Sequence, residues 1–314
     1  MAESAVSGGT VPFRGSGKMM RDKFVATLLG GAVGDALVAP LEFMTAQEIA
    51  NQYGTAREMM AGGAYDWRCG ECTDDTSLSR CVAESLIECK GYNPKDMAQR
   101  FLKWSKTEEA KDIGNTTKEA LARLESGVKF SASGILKNPT NGSVMRCAPL
   151  SLMYVHQEDA LIDVSMEVSA ITHAHPEAKL SCVFINLMIA KMLLGFDRKA
   201  AYDYAAKKVR EIDRDFIKQY IGSSYKPEPS KGLAVNTLLL ATSSFMKAQS
   251  FEETVTKAVN MGGDADTTGA VAGALAGAYF GSSGIPQRWS SVLKPKPAEH
   301  FMTLGEQLFK MKIS

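Results

Sequence analysis

Apolar residues recur along this chain at spacings of three and four, the period of a helix that buries one face. In RDKFVATLLGGAVGDAL, Phe24, Leu28, Leu29 and Val33 form one stripe; in DDTSLSRCVAESLIEC, Leu78, Val82, Leu86 and Ile87 form another. The same period predicts helices over 94–105, 115–126, 158–171, 176–195, 198–211, 232–248, 251–259, 266–280 and 297–311. Alternating runs of β-branched residues are nearly absent, and no Pro/Gly-rich linker divides the middle of the chain. The expected fold is all-α, a single compact multi-helix domain over 19–314 behind a Ser- and Gly-rich flexible arm at 1–18.

Two segments break the pattern. EFMTAQEIANQYGTAREMMAGGAYDWRCGE, from Glu42, is polar and punctuated by glycine, and SGVKFSASGILKNPTNGSVMRCAPL is a Gly/Ser/Asn-rich loop before a short helix. Loops of this kind on a rigid frame commonly carry binding groups. A third feature lies inside the 266–280 helix. Gly269, Gly273, Gly277 and Gly281 recur every four residues, so they fall near one line on the helix surface. Each costs about 1 kcal/mol of helix propensity relative to Ala. Close approach of another backbone along that line would offset the cost.

Composition narrows the classes. The chain has 314 residues, 45% hydrophobic and 23% charged, with a formal net charge of +1, so no basic nucleic-acid surface is expected. Six cysteines are too sparse for a disulfide framework, and Cys69 and Cys72 form the one C-x-x-C, without the second pair that a zinc site needs. The N-terminal stretch lacks an apolar run of signal-peptide length. The most membrane-like stretch, Gly269–Gly281, is too short and too rich in small residues to span a bilayer. A cytoplasmic monomer is expected, with neither nucleic acid nor membrane as partner.

The candidate chemistry is acidic. GDALVAPLE carries Asp35 and Glu42, CTDDTS carries Thr73, Asp74 and Asp75, GGDADTT carries Asp264, Asp266 and Thr267, and AKDIGNTT carries Asp112. One carboxylate at a helix start is explained by capping and by the helix dipole. A second beside it adds repulsion on the order of 1 kcal/mol in water and more near a low-dielectric interior. No Lys or Arg except Arg80 has the spacing to neutralise these aspartates from within a helix. A hard divalent cation with oxygen ligands, Mg²⁺ or Mn²⁺, would do so, and Asp264, Asp266 and Thr267 could share one cation or bridge two. DADTTG is not an EF-hand, because its twelfth position is Leu275. His173 and His175, in THAHP, are either loop residues held by backbone contacts or ligand-facing.

At these residues the chain resembles the ADP-ribosylglycohydrolase family, and within it the dinitrogenase reductase-activating and ADP-ribosylarginine hydrolase branch. GDALVAPLE, TDDTSLS, NGSVMR, THAHP and GGDADTTGA stand in the family's order, from about Phe24 to Gly281. Helicase-like, kinase-like and dinucleotide-binding readings find no support, since GGAVGDA has no preceding strand. The resemblance implies a central cleft with a binuclear Mg²⁺ or Mn²⁺ site. Its metal ligands would be Glu42, Thr73, Asp74, Asp75, Asp264, Asp266 and Thr267. Asn141, Gly142, Ser143 and His173 would hold ADP-ribose, and the segment from Asp112 through Gly114 and Asn115 to Thr117 would meet the substrate arginine. Three departures from the family pattern are LVAPLE, which lacks a glycine, the leading arm, and the CGEC before Thr73.

The activity so implied is hydrolysis of the bond between ADP-ribose and protein arginine. Asp75 or Glu42 would take the proton of the attacking water, and Asp112 would pair with the guanidinium. Backbone N–H groups at Gly142 would hold the pyrophosphate. The expected partner is an arginine-ADP-ribosylated protein. Three alternatives stand beside this: hydrolysis of O-linked ADP-ribose (serine or acetyl) or its polymer, an immunity-type protein that binds an ADP-ribosyltransferase, and a two-metal phosphohydrolase, which would release phosphate or AMP.

Overall fold

The computed structural model describes residues 17–294, 296 and 298–313. Helices follow in the order α1 (Gly17–Ala36), α2 (Ala46–Tyr53), α3 (Asp74–Glu88), α4 (Pro94–Trp104), α5 (Asn115–Glu125) and α6 (Phe130–Ser133). The middle of the chain forms α7 (Ala148–Met153), α8 (Glu158–Ala170), α9 (Pro176–Leu193), α10 (Arg198–Ile212) and α11 (Arg214–Tyr220). α12 (Ala234–Lys247), α13 (Phe251–Val259), α14 (Ala265–Phe280), α15 (Gln287–Ser290) and α16 (Ala298–Ile313) complete the fold. Among the described residues no strand forms, only isolated bridges such as Thr45 with Gly262. All six cysteines are unpaired. The expected arm at 1–18 lies outside the described residues except for Gly17 and Lys18, which open α1.

Local chemistry sets the helix starts. Thr45 and Glu48 form a reciprocal capping box on α2. Asn93 caps α4 ahead of Pro94, and Asp197 and Ser250 cap α10 and α13. α2 lies inside the segment that the apolar pattern left without a helix. It buries only Ile49, so no stripe announces it.

The glycine row meets α1, which runs antiparallel to α14. A Cβ on Gly277 would overlap the carbonyl of Ala26, one on Gly273 that of Gly30, and one on Gly34 that of Gly269. Side chains are thus missing where the two backbones touch. Gly281 is outside this contact: it ends α14 with φ +77 and faces Asp22 instead. Gly17–Leu41 is long and apolar enough to cross a bilayer, which corrects the ranking of 269–281 as the most membrane-like stretch. Of its most apolar window, 94% is buried within the protein. The close crossing also sets the site. It places Asp35, at the C-terminal end of α1, close enough to Asp266 in the first turn of α14 for the two carboxyls to repel.

Candidate functional site

Four separate segments deliver carboxylates to one cleft, the loop ahead of α5 with Asp112 among them. Asp74 and Asp75 open α3, Glu42 follows a 3-10 turn at Ala39–Leu41, and Asp264 and Asp266 open α14. Gly262 and Gly263, at φ +71 and +70, turn the chain into α14. The cleft has a volume of about 470 Å³. Glu42, Asp74, Asp75, Asp112, Asp264, Asp266 and Thr267 line it, together with Gly114, Asn115, Asn141, Gly142 and His173.

The caps and the free acids now separate. Thr73 is the N-cap of α3: its hydroxyl accepts from the Asp75 amide at 3.2 Å and donates to Asp75 Oδ2 at 3.1 Å. It is fully buried and does not line the cleft. Asp35 accepts from the Thr73 and Thr76 amides, so it anchors α3 rather than facing the opening. Asp112 Oδ2 accepts from the Asp74 amide at 3.0 Å. Asp264 holds the N-cap position of α14 without capping it; its Oδ2 accepts from Asn141 Nδ2 at 2.7 Å. Thr267 donates to Asp75 Oδ2 at 3.3 Å and so links α14 to α3.

Among the described residues four carboxylate oxygens remain buried with no partner: Glu42 Oε2, Asp75 Oδ1, Asp112 Oδ1 and Asp266 Oδ1. Leaving such acceptors unpaired costs about 1–3 kcal/mol each, more for a charge. Two nearby cations are engaged elsewhere. Arg80 pairs with Glu84 and Glu109, while Lys111 pairs with Glu71 and lies 4.0 Å over the Trp67 ring. Burial, and then repulsion from Asp264, Asp112 and Asp35, raises Glu42 to about 8. Burial raises Asp112 to about 6 despite the Asp74 amide, and lifts Asp35 to about 7. Asp74, Asp75 and Asp266 are pushed well above the usual carboxylate range, first by burial and then by repulsion led by Asp112, Asp35 and Glu42 respectively.

Such an all-oxygen donor set suits a hard divalent cation, and the orphaned oxygens fit one. Among the described residues no three His, Cys, Asp or Glu side chains close into a cage by themselves. Mg²⁺ characteristically keeps several waters, so an open ring of carboxylates is compatible with it.

The histidine pair divides. His175 caps α9, its Nδ1 accepting from the Glu177 amide at 3.2 Å. His173 faces the cleft. Ser143 is turned away: its hydroxyl accepts from Ser169 at 2.8 Å and lies 3.5 Å from Cys182 Sγ, so it offers the cleft no side chain. That departs from the expected ADP-ribose loop, where Ser143 stood with Asn141 and Gly142. Tyr65 and Phe43 were not foreseen. Their rings are 6.4 Å apart and both line the cleft, and Phe43 is 64% exposed with φ +72. Adjacency to Glu42 was the one sequence signal for Phe43.

The fold and the site define an α-helical protein with an oxygen-lined acidic cleft large enough for a small-molecule substrate. The chain belongs to the ADP-ribosylglycohydrolase family, whose model matches residues 17–313, and it is a hydrolase of that family. It is 34% identical to the ADP-ribosyl-(dinitrogen reductase) glycohydrolase of Rhodospirillum rubrum, covering 90% of this chain and 93% of the relative. It is 29% identical to an ADP-ribosylarginine hydrolase of Serratia proteamaculans, covering 92% of this chain and 80% of the relative. A solved structure titled an ADP-ribosylglycohydrolase-related protein complex superposes with a TM-score of 0.80 at 34% identity, covering 94% of this chain and 99% of the other.

Proposed function

We propose that this protein hydrolyses the N-glycosidic bond between ADP-ribose and a protein arginine, with two divalent cations held by the acidic cleft. The reading is carried by the orphaned oxygens of Glu42, Asp75, Asp112 and Asp266, whose residues line one cleft and form no ion pair among the described residues. The ligands in this reading are Glu42, Asp74, Asp75, Asp264, Asp266 and Thr267, and Thr73 would join them by releasing its hydroxyl from Asp75 Oδ2. Bound Mg²⁺ or Mn²⁺ would lower the pKa of a coordinated water and offset negative charge on the sugar oxygens.

The chain's own groups do the rest. Asn141, fixed by its bonds to Thr237 and Asp264, and Gly142 hold the ADP-ribose with His173. Gly114 and Asn115 border the same space. Water adds to the anomeric carbon of the ribose, its proton passing to Glu42 or Asp75, each with one unpartnered oxygen. The carbon–nitrogen bond breaks, and the guanidine keeps the electron pair and takes up a proton. Asp112 Oδ1 accepts from the guanidinium, while its Oδ2 stays on the Asp74 amide. The ADP-ribosylarginine hydrolase of Serratia proteamaculans supports the choice of linkage.

The test is turnover of arginine-, serine- and acetyl-linked ADP-ribose with and without EDTA, with the product identified. Free ADP-ribose from the arginine substrate, lost on chelation and restored by Mg²⁺ or Mn²⁺, is expected. Unchanged turnover after rigorous metal removal would end the metal reading, and activity on serine linkages alone would end the arginine assignment.

A further inference from the structure

Arg146 is a charged side chain with no exposed surface. Its guanidinium lies 4.4 Å over the Phe101 ring, Nη2 donates to Thr172 Oγ1 at 2.6 Å, and Nε and Nη1 have no partner. Burying an ion costs several kcal/mol, and an apolar side chain of similar size could pack on Phe101 equally well. Arg146 does not line the cleft, so the proposed hydrolysis makes no direct use of it.

Counting protons at Thr172 gives it a use. The threonine hydroxyl has one proton, and a guanidinium can only donate, so Oγ1 accepts from Arg146. The same oxygen is 2.7 Å from His173 Nδ1. Either the hydroxyl donates to Nδ1, or a protonated Nδ1 donates to the hydroxyl. In the second arrangement Oγ1 would accept twice, and its own proton would be stranded at a fully buried residue. A stranded donor costs about 1–3 kcal/mol. In the first arrangement Arg146 Nη2, Thr172 Oγ1 and His173 Nδ1 are all satisfied, and the adjacent cation polarises the hydroxyl toward donation. A charged imidazolium is opposed by burial and by Arg146, which hold His173 well below its ordinary pKa. The neutral ring then carries its proton on Nε2. That edge lies against the substrate loop: a Cβ on Gly142 would stand 2.7 Å from His173 Cε1 and 2.8 Å from Nε2.

We propose that Arg146 is a positioning residue which, through Thr172, fixes His173 as the Nε2–H tautomer, so that the wall at Gly142 presents a hydrogen-bond donor to an oxygen of the bound ADP-ribose. The ligand half of this rests on the function proposed above; the tautomer half does not. Gly142 is required beside the ring because a side chain there would displace it.

The experiment is long-range ¹H–¹⁵N NMR of the full chain. Only four histidines are present, and the His173→Gln spectrum assigns the signal. The wild-type ring is expected to show the neutral Nε2–H pattern throughout the range in which an exposed histidine titrates. An Nδ1–H pattern, or an imidazolium at neutral pH, would overturn the proposal, and this measurement needs no variant to fold. Thr172→Val should then give a mixture of tautomers and weaken ADP-ribose, measured by calorimetry, about tenfold, the equivalent of one net hydrogen bond. Thr172→Ser should restore both. Equal behaviour of the Val and Ser variants would sink the relay. A wild-type protein with the expected tautomer but no affinity for ADP-ribose would refute the ligand reading instead.

Discussion

Gly34 lies one residue before Asp35, where α1 crosses α14 beside the acidic cluster. In Gly34→Ala the new methyl would stand 2.0 Å from the carbonyl oxygen of Gly269 and 2.6 Å from its carbonyl carbon, against about 3.4 Å for ordinary contact, so the helices must part locally by more than about 1 Å. Gly31→Ala is the internal control on the same helix. Its methyl would meet Ala270 O at 3.6 Å and Ala274 Cβ at 3.8 Å, which is ordinary contact. Both variants gain about 1 kcal/mol of helix propensity. Gly31→Ala should therefore be more stable by up to about 1 kcal/mol. Gly34→Ala adds an overpacking cost of about 1–3 kcal/mol and should be less stable by up to about 2 kcal/mol. Because the crossing sets the distance between the two groups of carboxylates, its turnover should fall about a hundredfold, as expected for a misplacement near 1 Å. Urea unfolding and initial rates measure the two effects. A Gly34→Ala protein as stable and active as the Gly31→Ala protein would refute the claim that backbone contact along this line positions the site.

Further outcomes follow from the electrostatics. Asp266→Asn removes one of several mutually repelling buried charges, so the cation-free protein should melt higher while the stabilisation by Mg²⁺ is lost; thermal unfolding in EDTA and in Mg²⁺ distinguishes this, and a lower melting point with the Mg²⁺ shift intact would contradict it. The raised folded-state values of Glu42, about 8, and Asp112, about 6, mean that the folded chain holds more protons than the unfolded one above their ordinary values. His173 and His300, whose values are lowered, act in the opposite sense only below about pH 6.5. Stability without cations should therefore fall as pH rises from about 6.5 to about 8, and Mg²⁺ should flatten the fall; a rise across that window in EDTA would contradict the assignment. Phe43 pays backbone strain at φ +72 while largely exposed, so Phe43→Asn, a residue better suited to that conformation, should raise stability by about 1 kcal/mol; a lower melting point would show that its ring packs for structure.

The helices were legible because their causes are local. The stripe through Phe24, Leu28, Leu29 and Val33, the periodic runs over 94–105 and 198–211, and the Gly/Ala run after Asp266 each act within a few residues, and α1, α4, α10 and α14 stand where that pattern puts them. α2 escaped because a helix burying one side chain leaves no stripe. The acidic motifs were legible as an excess of negative charge that capping alone could not use.

Which acid does what was not legible. Asp35 and Asp75 look alike along the chain, yet one anchors the start of α3 through backbone amides and the other keeps a buried oxygen free. His173 and His175 stand two residues apart, yet one lines the cleft and the other caps a helix. By itself the sequence determined the helices, the surplus of carboxylates and the small residues that permit close crossing, because periodicity, charge and side-chain size are properties of neighbouring residues. Tertiary structure decided which oxygens remain unpaired and which imidazole nitrogen carries the proton. Those depend on partners as distant as Thr73 with Asp35, Asn141 with Asp264 and Arg146 with Thr172, which meet only after the helices have packed.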